Sequence, residues 1–400
     1  VPERAGHTSR LLAGVRELFE ASTDLTIGME EEYQLLDPSS LALTNRFEEM
    51  MAAAEDPLRE RLAGELIASE IEFRTAAHDG FAGAARDLVE GRLATLTLAE
   101  RLGIALGITG VHPFSPWTEQ RIIDTEHYRR VEGELGYLAW TNNTWSLHVH
   151  CGVRGADRAV RVSTALRSVL PELLALSANS AIFVGRATRL HSTRTQTFTR
   201  SFPRCGIADP LADWDEYAEF VETLERAGSI QESTQLWWSV RPHHSFGTVE
   251  IRICDGQSEM GEALGLAALM VACTAQFLAD HDAGLPLPAH PLRILDENLW
   301  RAQRDGVTGR LIDLGRREER PTRAAIEALL RWSEPTHEPL GLTPFLAAVP
   351  RMLEANGAVR QLRRLEALGG DARAVHAEVV ERTRRSAEEA LSLVGAVPAR

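Results

Sequence analysis

Residues 25–36 read LTIGMEEEYQLL, and the order of residue types in this stretch decides the fold. Apolar Ile27, Met29, Tyr33 and Leu35 alternate with polar Glu30, Glu32 and Gln34. A period of two predicts a strand with one face in a core and the other carrying carboxylates. Glu30 and Glu32 point the same way, while Glu31 points across the sheet. Two carboxylates on one face repel unless a cation lies between them, so a divalent metal is the natural reading. A solvated strand face is the alternative, but Gly28 and the apolar neighbours favour a central strand.

Three other segments carry chemistry on one face. In GELIASEIEFRT (64–75), Glu70, Glu72 and Arg74 share a strand face, and Glu65 has the opposite parity. A turn or bulge between Glu65 and Ser69 would bring Glu65 round to that face, with a surface helix as the alternative. His148 and His150 stand at i and i+2 in LHVHCGV, again on one face. Such a pair binds zinc in some hydrolases, but no further histidine cluster completes a zinc set here. So many carboxylates suit magnesium or manganese better. In TVEIRIC, Glu250, Arg252 and Cys254 share one face, opposite Val249, Ile251 and Ile253. With Arg241 and Asp255 nearby in sequence, this face would hold metal and phosphate together, or else form an internal cross-strand salt bridge. Arg186, Arg189, Arg194, Arg200 and Arg204 crowd one loop, which is either an anion-binding loop or a solvated charge run.

The whole chain of 400 residues is 44% hydrophobic and 25% charged, the balance of a globular protein. Its length allows two or three domains, or one large domain. The formal charge of −14 opposes nonspecific binding to nucleic acid or anionic lipid. No lysine occurs, so all 43 basic residues are arginine. That excludes a lysine Schiff base, a P-loop lysine and the strand lysine of protein kinases. Any phosphate must be held by arginine, backbone amides and metal. Cys151, Cys205, Cys254 and Cys273 form no C-x-x-C pair, which argues against a zinc ribbon or disulfide scaffold and suits a reducing cytoplasm. Residues 1–19 lack the apolar core of a signal peptide, and the sequence predicts no apolar run long enough to span a bilayer. The expectation is a cytoplasmic protein with no membrane or nucleic-acid partner.

Along the chain, residues 8–22 read as a helical lead-in, and 1–23 stand apart from one unit over 24–400. Helical spacing appears at 81–106, at 155–182 with an interruption at Pro171, at about 213–227 and at 258–280. A strand is expected at 144–153 and a pair of strands at 236–255, turning near His244–Gly247. The last 110 residues read as mostly helix, broken near Pro335–Pro344 and Gly369–Gly370. Widely spaced strands with helices between them predict an α+β fold. No G-x-G-x-x-G follows a strand, so a dinucleotide fold is set aside.

Taken in order, IGMEEEYQLLDP (27–38), ELIASEIEFRT (65–75), GVHPFSPW (110–117), LHVHCGV (147–153), STRTQTFTRSFPRCG (192–206), WWSVRPHHSFGTVEIRICD (237–255) and DENLWRAQRDG (296–306) resemble the carboxylate–amine ligase family, the type 2 glutamate–cysteine ligases, whose catalytic domain is similar to glutamine synthetase. The likeness runs from about residue 24 and leaves out the lead-in and the final helices. It implies a curved antiparallel sheet of about six strands with an open active-site face, backed by helices. It also implies ATP as co-substrate with two or three magnesium ions, manganese being the alternative. By family position Glu30, Glu32, Glu65, Glu72, His148 and Glu250 would be metal ligands. Arg241, Arg252 and Glu250 would be catalytic, with Arg241, Arg252 and Arg194 holding phosphate. Arg186, Arg194 and His150 would contact substrate. The implied reaction phosphorylates a carboxylate, often the γ-carboxylate of glutamate, and a small amine then displaces phosphate to give an amide. A homo-oligomer is implied as well.

The chain departs from the family's pattern at Ala187–Leu190, at Cys151 and across 141–146, positions expected near the substrate pocket. They leave the donor and acceptor open. Besides glutamate–cysteine ligation, the same chemistry on a specialised pair, a non-catalytic ATP-binding protein and a metal-dependent hydrolase are the competing readings.

Overall fold

The computed structural model describes residues 9–397; the first part of the 8–22 lead-in therefore lies outside the described residues. Seven strands form the main sheet: β1 (Ile27–Leu36), β2 (Leu62–Ala63), β3 (Glu70–Arg74), β4 (Ala105–Gly107), β5 (Ser146–Gly152), β6 (Val240–His243) and β7 (Thr248–Asp255). Their order is β6-β7-β5-β1-β3-β2, with β4 pairing the end of β1, and every pairing is antiparallel. β1 sits centrally, as its apolar alternation requires. The α+β class and the sheet of about six strands are as expected.

One sheet face is packed by helices. Ile27, Met29, Tyr33 and Leu35 join Ile71, Phe73, Leu147, Val149, Val249 and Ile251 in a single core. The helices Phe81–Arg101, Ala156–Leu166, Leu170–Ser177 and Met260–Asp282 supply the other side of it. Gly91 marks the closest approach: a Cβ there would stand 2.0 Å from the Phe73 ring, so only glycine lets the Phe81–Arg101 helix lie this near β3. The Met260–Asp282 helix is long and apolar enough to cross a bilayer, contrary to the expectation of no such run. It is the central core helix instead, with 89% of its apolar window buried.

Glu31 falls on this packed face. It is fully buried and paired with the equally buried Arg92 of the Phe81–Arg101 helix. Arg92 Nε donates to Glu31 Oε2 at 2.8 Å, Tyr33 donates its hydroxyl to the same oxygen at 2.7 Å, and Arg92 Nη2 reaches Oε1. Arg92 also donates to the carbonyls of Gln257 and Ser258, each at 3.0 Å, in the turn after β7. Sequence parity placed Glu31 on this face, but nothing in the sequence named its partner.

Three local expectations change. Pro171 sits in the first turn of Leu170–Ser177, and the interruption before it is the short 3₁₀ turn Arg167–Val169. Residues 310–321 form a two-stranded ribbon, Arg310–Asp313 with Glu318–Pro321, where helix was expected; cross-strand Arg310–Glu319 and a turn closed on Asp313 hold it. Cys254 does not share a face with Glu250. The pairing of β7 with β5 slips by one residue between Ile251 and Cys254, a bulge that sends Cys254 into the core and brings Asp255 opposite Ser146.

Replacing Arg92 by Leu leaves the Glu31 carboxylate buried without a cationic partner, with only the Tyr33 hydroxyl donating to it, which should cost about 3–5 kcal/mol in chemical denaturation. The double replacement Glu31→Leu, Arg92→Leu should recover most of that loss. Equal losses in the single and double variants would show that the pair does not hold β1.

Candidate active site on the open sheet face

The opposite face carries the predicted chemistry. Register sets Glu30 across from His148 on one side and Arg74 on the other, and Glu32 across from Glu72. Glu250 stands between His150 and Arg241 on its two neighbouring strands. The turn of residues 64–69 swings Glu65 to the same face, as its position before β3 required. Glu30, Glu32, Glu65, Glu72, Arg74, Arg241 and Glu250 border a cavity of about 380 Å³, together with Glu70, Tyr128, Thr144, Phe198, Trp237 and others.

Three groups of donor atoms lie within 4.8 Å of one another: Glu32–Glu65–Glu72, Glu30–Glu72–His148 and Glu30–His150–Glu250. The first is all oxygen and the other two are carboxylate with imidazole, a set that fits hard divalent ions such as magnesium or manganese. Glu70 Oε1 is buried without a hydrogen-bond partner, which is costly unless a ligand completes it, and His150 Nε2 faces Glu30 Oε1 at 3.3 Å and Glu250 Oε1 at 3.8 Å.

Electrostatics divide the site. Burial raises Glu65 to about 7, helped by the charge of Glu32. Burial and neighbouring carboxylates also push Glu70 and Glu72 well above the usual range. Burial would raise Glu30 too, but His150 and His148 outweigh it and hold Glu30 well below that range. Arg241 and Arg252 do the same for Glu250. His148 is kept neutral-leaning by burial and by Arg252, with Nδ1 2.9 Å from Glu30 and Nε2 2.7 Å from Ser146 Oγ. For His150, Glu30 and Glu250 overcome burial and raise the imidazole.

The arginines part company. Arg241 donates Nε to Glu250 at 2.6 Å and Nη1 to the carbonyls of Leu236 and Thr234. Arg252 pairs with Glu250 through Nη1, while its Nε is buried and unpartnered at the cavity. Arg194 lines the cavity, but its Nη1 and Nη2 serve the carbonyls of Ile253 and Arg252, leaving Nε unpartnered. Arg186 is exposed on the small hairpin of Ile182–Phe183 and Arg186–Ala187, away from the cavity. The arginine loop is therefore neither one anion-binding surface nor one solvated charge run: Arg200 pairs with Asp296, Arg204 with Glu134, and Arg189 is exposed. Cys151 also lies elsewhere than expected; its odd parity on β5 places it in the core, where burial pushes its thiol to about 12. Of the departing positions, Asn142, Thr144 and Ser146 do reach the cavity.

Residues 123–144 and 230–237 close the cavity's outer wall. Glu232 contacts His127 and Arg130, each at 3.1 Å, and Gln235 donates to Glu134 at 2.6 Å. No pattern in the sequence signals these contacts, because they join surface segments about 100 residues apart. Asp255 is fully buried and accepts from the Asn179 amide, Ser180 and Ser192, so the bulge in β7 fixes the Arg194 loop against the sheet.

Similarity to known proteins agrees with this arrangement. Residues 26–384 match the profile of glutamate-cysteine ligase family 2, which extends the likeness into the final helix. A protein of Rubrobacter xylanophilus provisionally named glutamate–cysteine ligase 2-3 is 42% identical over 345 residues, 86% of this chain and 93% of that protein. A second from the same organism, provisionally named 2-2, is 38% identical over 314 residues, 78% of this chain and 81% of its own length. Among solved structures, glutamate–cysteine ligase from Francisella tularensis, in complex with AMP, superposes with a TM-score of 0.61 at 12% identity, covering 96% of this chain and 97% of that one. The bifunctional glutathione synthetase of Pasteurella multocida gives 0.64 at 13% identity, with 95% of this chain matching 54% of the larger one. The family match makes the chain an ATP-dependent carboxylate–amine ligase, a class that uses a divalent metal and amino-acid substrates. The chain belongs to glutamate–cysteine ligase family 2.

A raised carboxyl contributes stability that is full below its ordinary value of 4.5 and is lost as pH rises through the folded value, about 7 for Glu65. Chelator-treated protein should therefore melt at lower temperature at pH 8 than at pH 6. Millimolar magnesium should raise Tm more at pH 8, where the carboxylates are charged. A Tm indifferent to magnesium at both values would remove the metal site.

Proposed function

We propose that this chain phosphorylates the γ-carboxylate of glutamate with ATP and passes the acyl group to a small amine, using two or three magnesium ions. The observation that carries this reading is the sharing of Glu30 and Glu72 among three adjoining donor groups, with Arg241 and Arg252 at their edge. In this assignment Glu30, Glu32, Glu65, Glu72, His148 and Glu250 hold the ions, with Glu70 as a further ligand on the same face. Bound magnesium would neutralise the charge that spreads over the transferred phosphate oxygens.

The remaining work falls to the chain's own groups. A substrate carboxylate oxygen attacks the γ-phosphorus and ADP leaves. The amine nitrogen then attacks the acyl carbon, the C–O bond to phosphate breaks, and the nitrogen gives up a proton. Arg252 Nε is buried, unpartnered and fixed by Glu250, so it is preorganised to donate to a phosphate oxygen. Arg241 spends Nε and Nη1 inside the protein and offers Nη2 to the ligand. Arg194 contributes through Nε, with its other nitrogens tied to β7. His150 holds the nucleotide side of the site beside Glu30. No substrate role is assigned to Arg186.

The reading treats 24–400 as one catalytic unit, supported by a hydrophobic core whose members run from Ile27 to Val394, which Val15 and Phe19 of the lead-in also join. It also takes the chain to act in the cytoplasm, where its four free cysteines stay reduced, and as a homo-oligomer.

Purified protein with Mg-ATP, glutamate and a mixed pool of amines that includes cysteine should release ADP and form a glutamyl amide in equal amounts, with product mass naming the acceptor. ATP binding without ADP release for any carboxylate would overturn the ligase reading. Glu30→Gln should lower turnover about 100- to 1,000-fold; near-normal turnover would remove Glu30 from the metal set.

A further inference from the structure

Three rings stand apart from the polar inventory of the cavity. Phe198, Phe202 and Trp237 all line it, yet none is a member of the main hydrophobic core. Neither divalent ions nor a triphosphate has a use for them, since both are bound through charge and hydrogen bonds. Apolar surface that faces a carboxylate-lined cavity gains only when a ligand covers it.

The rings form one packed wall. Phe198 lies in the π turn Thr195–Thr199, and the Phe202 amide donates to the Phe198 carbonyl at 3.0 Å, so the two side chains come from successive turns. Their centroids are 4.8 Å apart, with the planes at 53°. Trp237 arrives from a separate segment through the parallel pairing of Cys205–Gly206 with Trp237–Trp238, and it meets Phe202 edge-on at 5.8 Å and 87°. Phe202 is buried in the middle, while Phe198 and Trp237 keep part of their surface open. Tilted and edge-on rings attract one another, and the same geometry accepts one further ring.

Charge at the wall narrows what it can hold. The Arg194 guanidinium lies 6.0 Å from the Phe198 centroid, and that of Arg204 lies 5.4 Å from the Trp237 centroid. The π faces that attract cations are thus already served, and a second cation there would meet like charge. A short thiol side chain would cover little of a wall three rings wide. A flat, uncharged ring covers it.

The wall is also tied to the arginines of the site. The Leu236 carbonyl, next to Trp237, accepts from Arg241 Nη1 at 2.6 Å, and Arg194 runs from Phe198 to the carbonyls of Ile253 and Arg252 on β7. A ligand ring resting on the wall can extend a short amino arm toward the groups that would hold the acyl phosphate.

We infer that the amine accepted here is an arylalkylamine, a class that includes the aromatic amino acids, with its ring on Phe198 and Trp237 and its nitrogen toward Arg241 and Arg252. The inference rests on the ligase reading and adds the class of the acceptor. The nitrogen forms the amide bond, phosphate leaves with the electrons of the C–O bond, and one N–H proton is released; the ring takes no part in these changes. Phe198 and Trp237 are therefore determinants of specificity.

Turnover with Mg-ATP and glutamate, compared for phenethylamine, L-phenylalanine, L-cysteine and hydroxylamine, tests it, because hydroxylamine has no side chain to place. One of the two aromatic amines should exceed L-cysteine at least tenfold in kcat/KM. Phe198→Ala and Trp237→Ala should each lower the ratio of kcat/KM for that amine to kcat/KM for hydroxylamine at least tenfold, mainly through KM, and Trp237→Phe should keep the ratio within about threefold. If glutamyl hydroxamate forms but L-cysteine comes within tenfold of both aromatic amines, or surpasses them, this inference alone fails. Absence of hydroxamate and of every amide would overturn the ligase reading with it. Equal losses for the aromatic amine and hydroxylamine in the alanine variants would show general damage to the site and overturn the role of the wall.

Discussion

The buried pair of Glu31 and Arg92 fixes the strand on which the site is built. In an extended strand, neighbouring side chains take opposite faces, so holding Glu31 in the core commits Glu30 and Glu32 to the open side. A slip of one residue would expose the apolar set and put Glu30 and Glu32 on the packed face in place of Glu31. Arg92 also binds the turn after β7, so one guanidinium ties the carboxylate strand to the element that follows Glu250 and Arg252. An ion pair removed from water adds little net stability over apolar packing, and its use here is to specify register.

On the open face, one residue type takes two opposite states. Glu30 and Glu250 are held charged by histidines and arginines, while Glu65, Glu70 and Glu72 crowd together without enough cations and are pushed up. The sheet order creates this division: arginine-bearing strands lie at one edge, histidines next, and carboxylates in the middle and beyond. In the proposed function, phosphate would face Arg241 and Arg252, while divalent cations would lie among the carboxylates and histidines that share Glu30 and Glu72. That is the distribution a transfer of phosphate needs, because charge must be balanced on both sides of the moving group.

Much of this was legible in the sequence. The alternation in 27–36 gave a central strand, and period two placed Glu72, His148 and Glu250 on faces that do converge. Strand parity works because it is local geometry that tertiary packing seldom reverses. It failed at Cys254, where one inserted residue in the ladder reverses every later position. It also left the arginine loop unread: Arg194, Arg200 and Arg204 turn to carbonyls and carboxylates that arrive from distant segments, while Arg186 and Arg189 remain at the surface.

The amino-acid order by itself determined which residues are polar, which face of each strand they take, and that lysine chemistry is absent. Only the tertiary structure decided that Arg92 pairs with Glu31, that Glu232 meets His127, and that Trp237 meets Phe202 at the wall of the cavity. Periodicity records the direction a side chain takes from its own backbone. What it meets there depends on strand order, on a bulge and on the packing of helices far along the chain, and no local pattern carries that information.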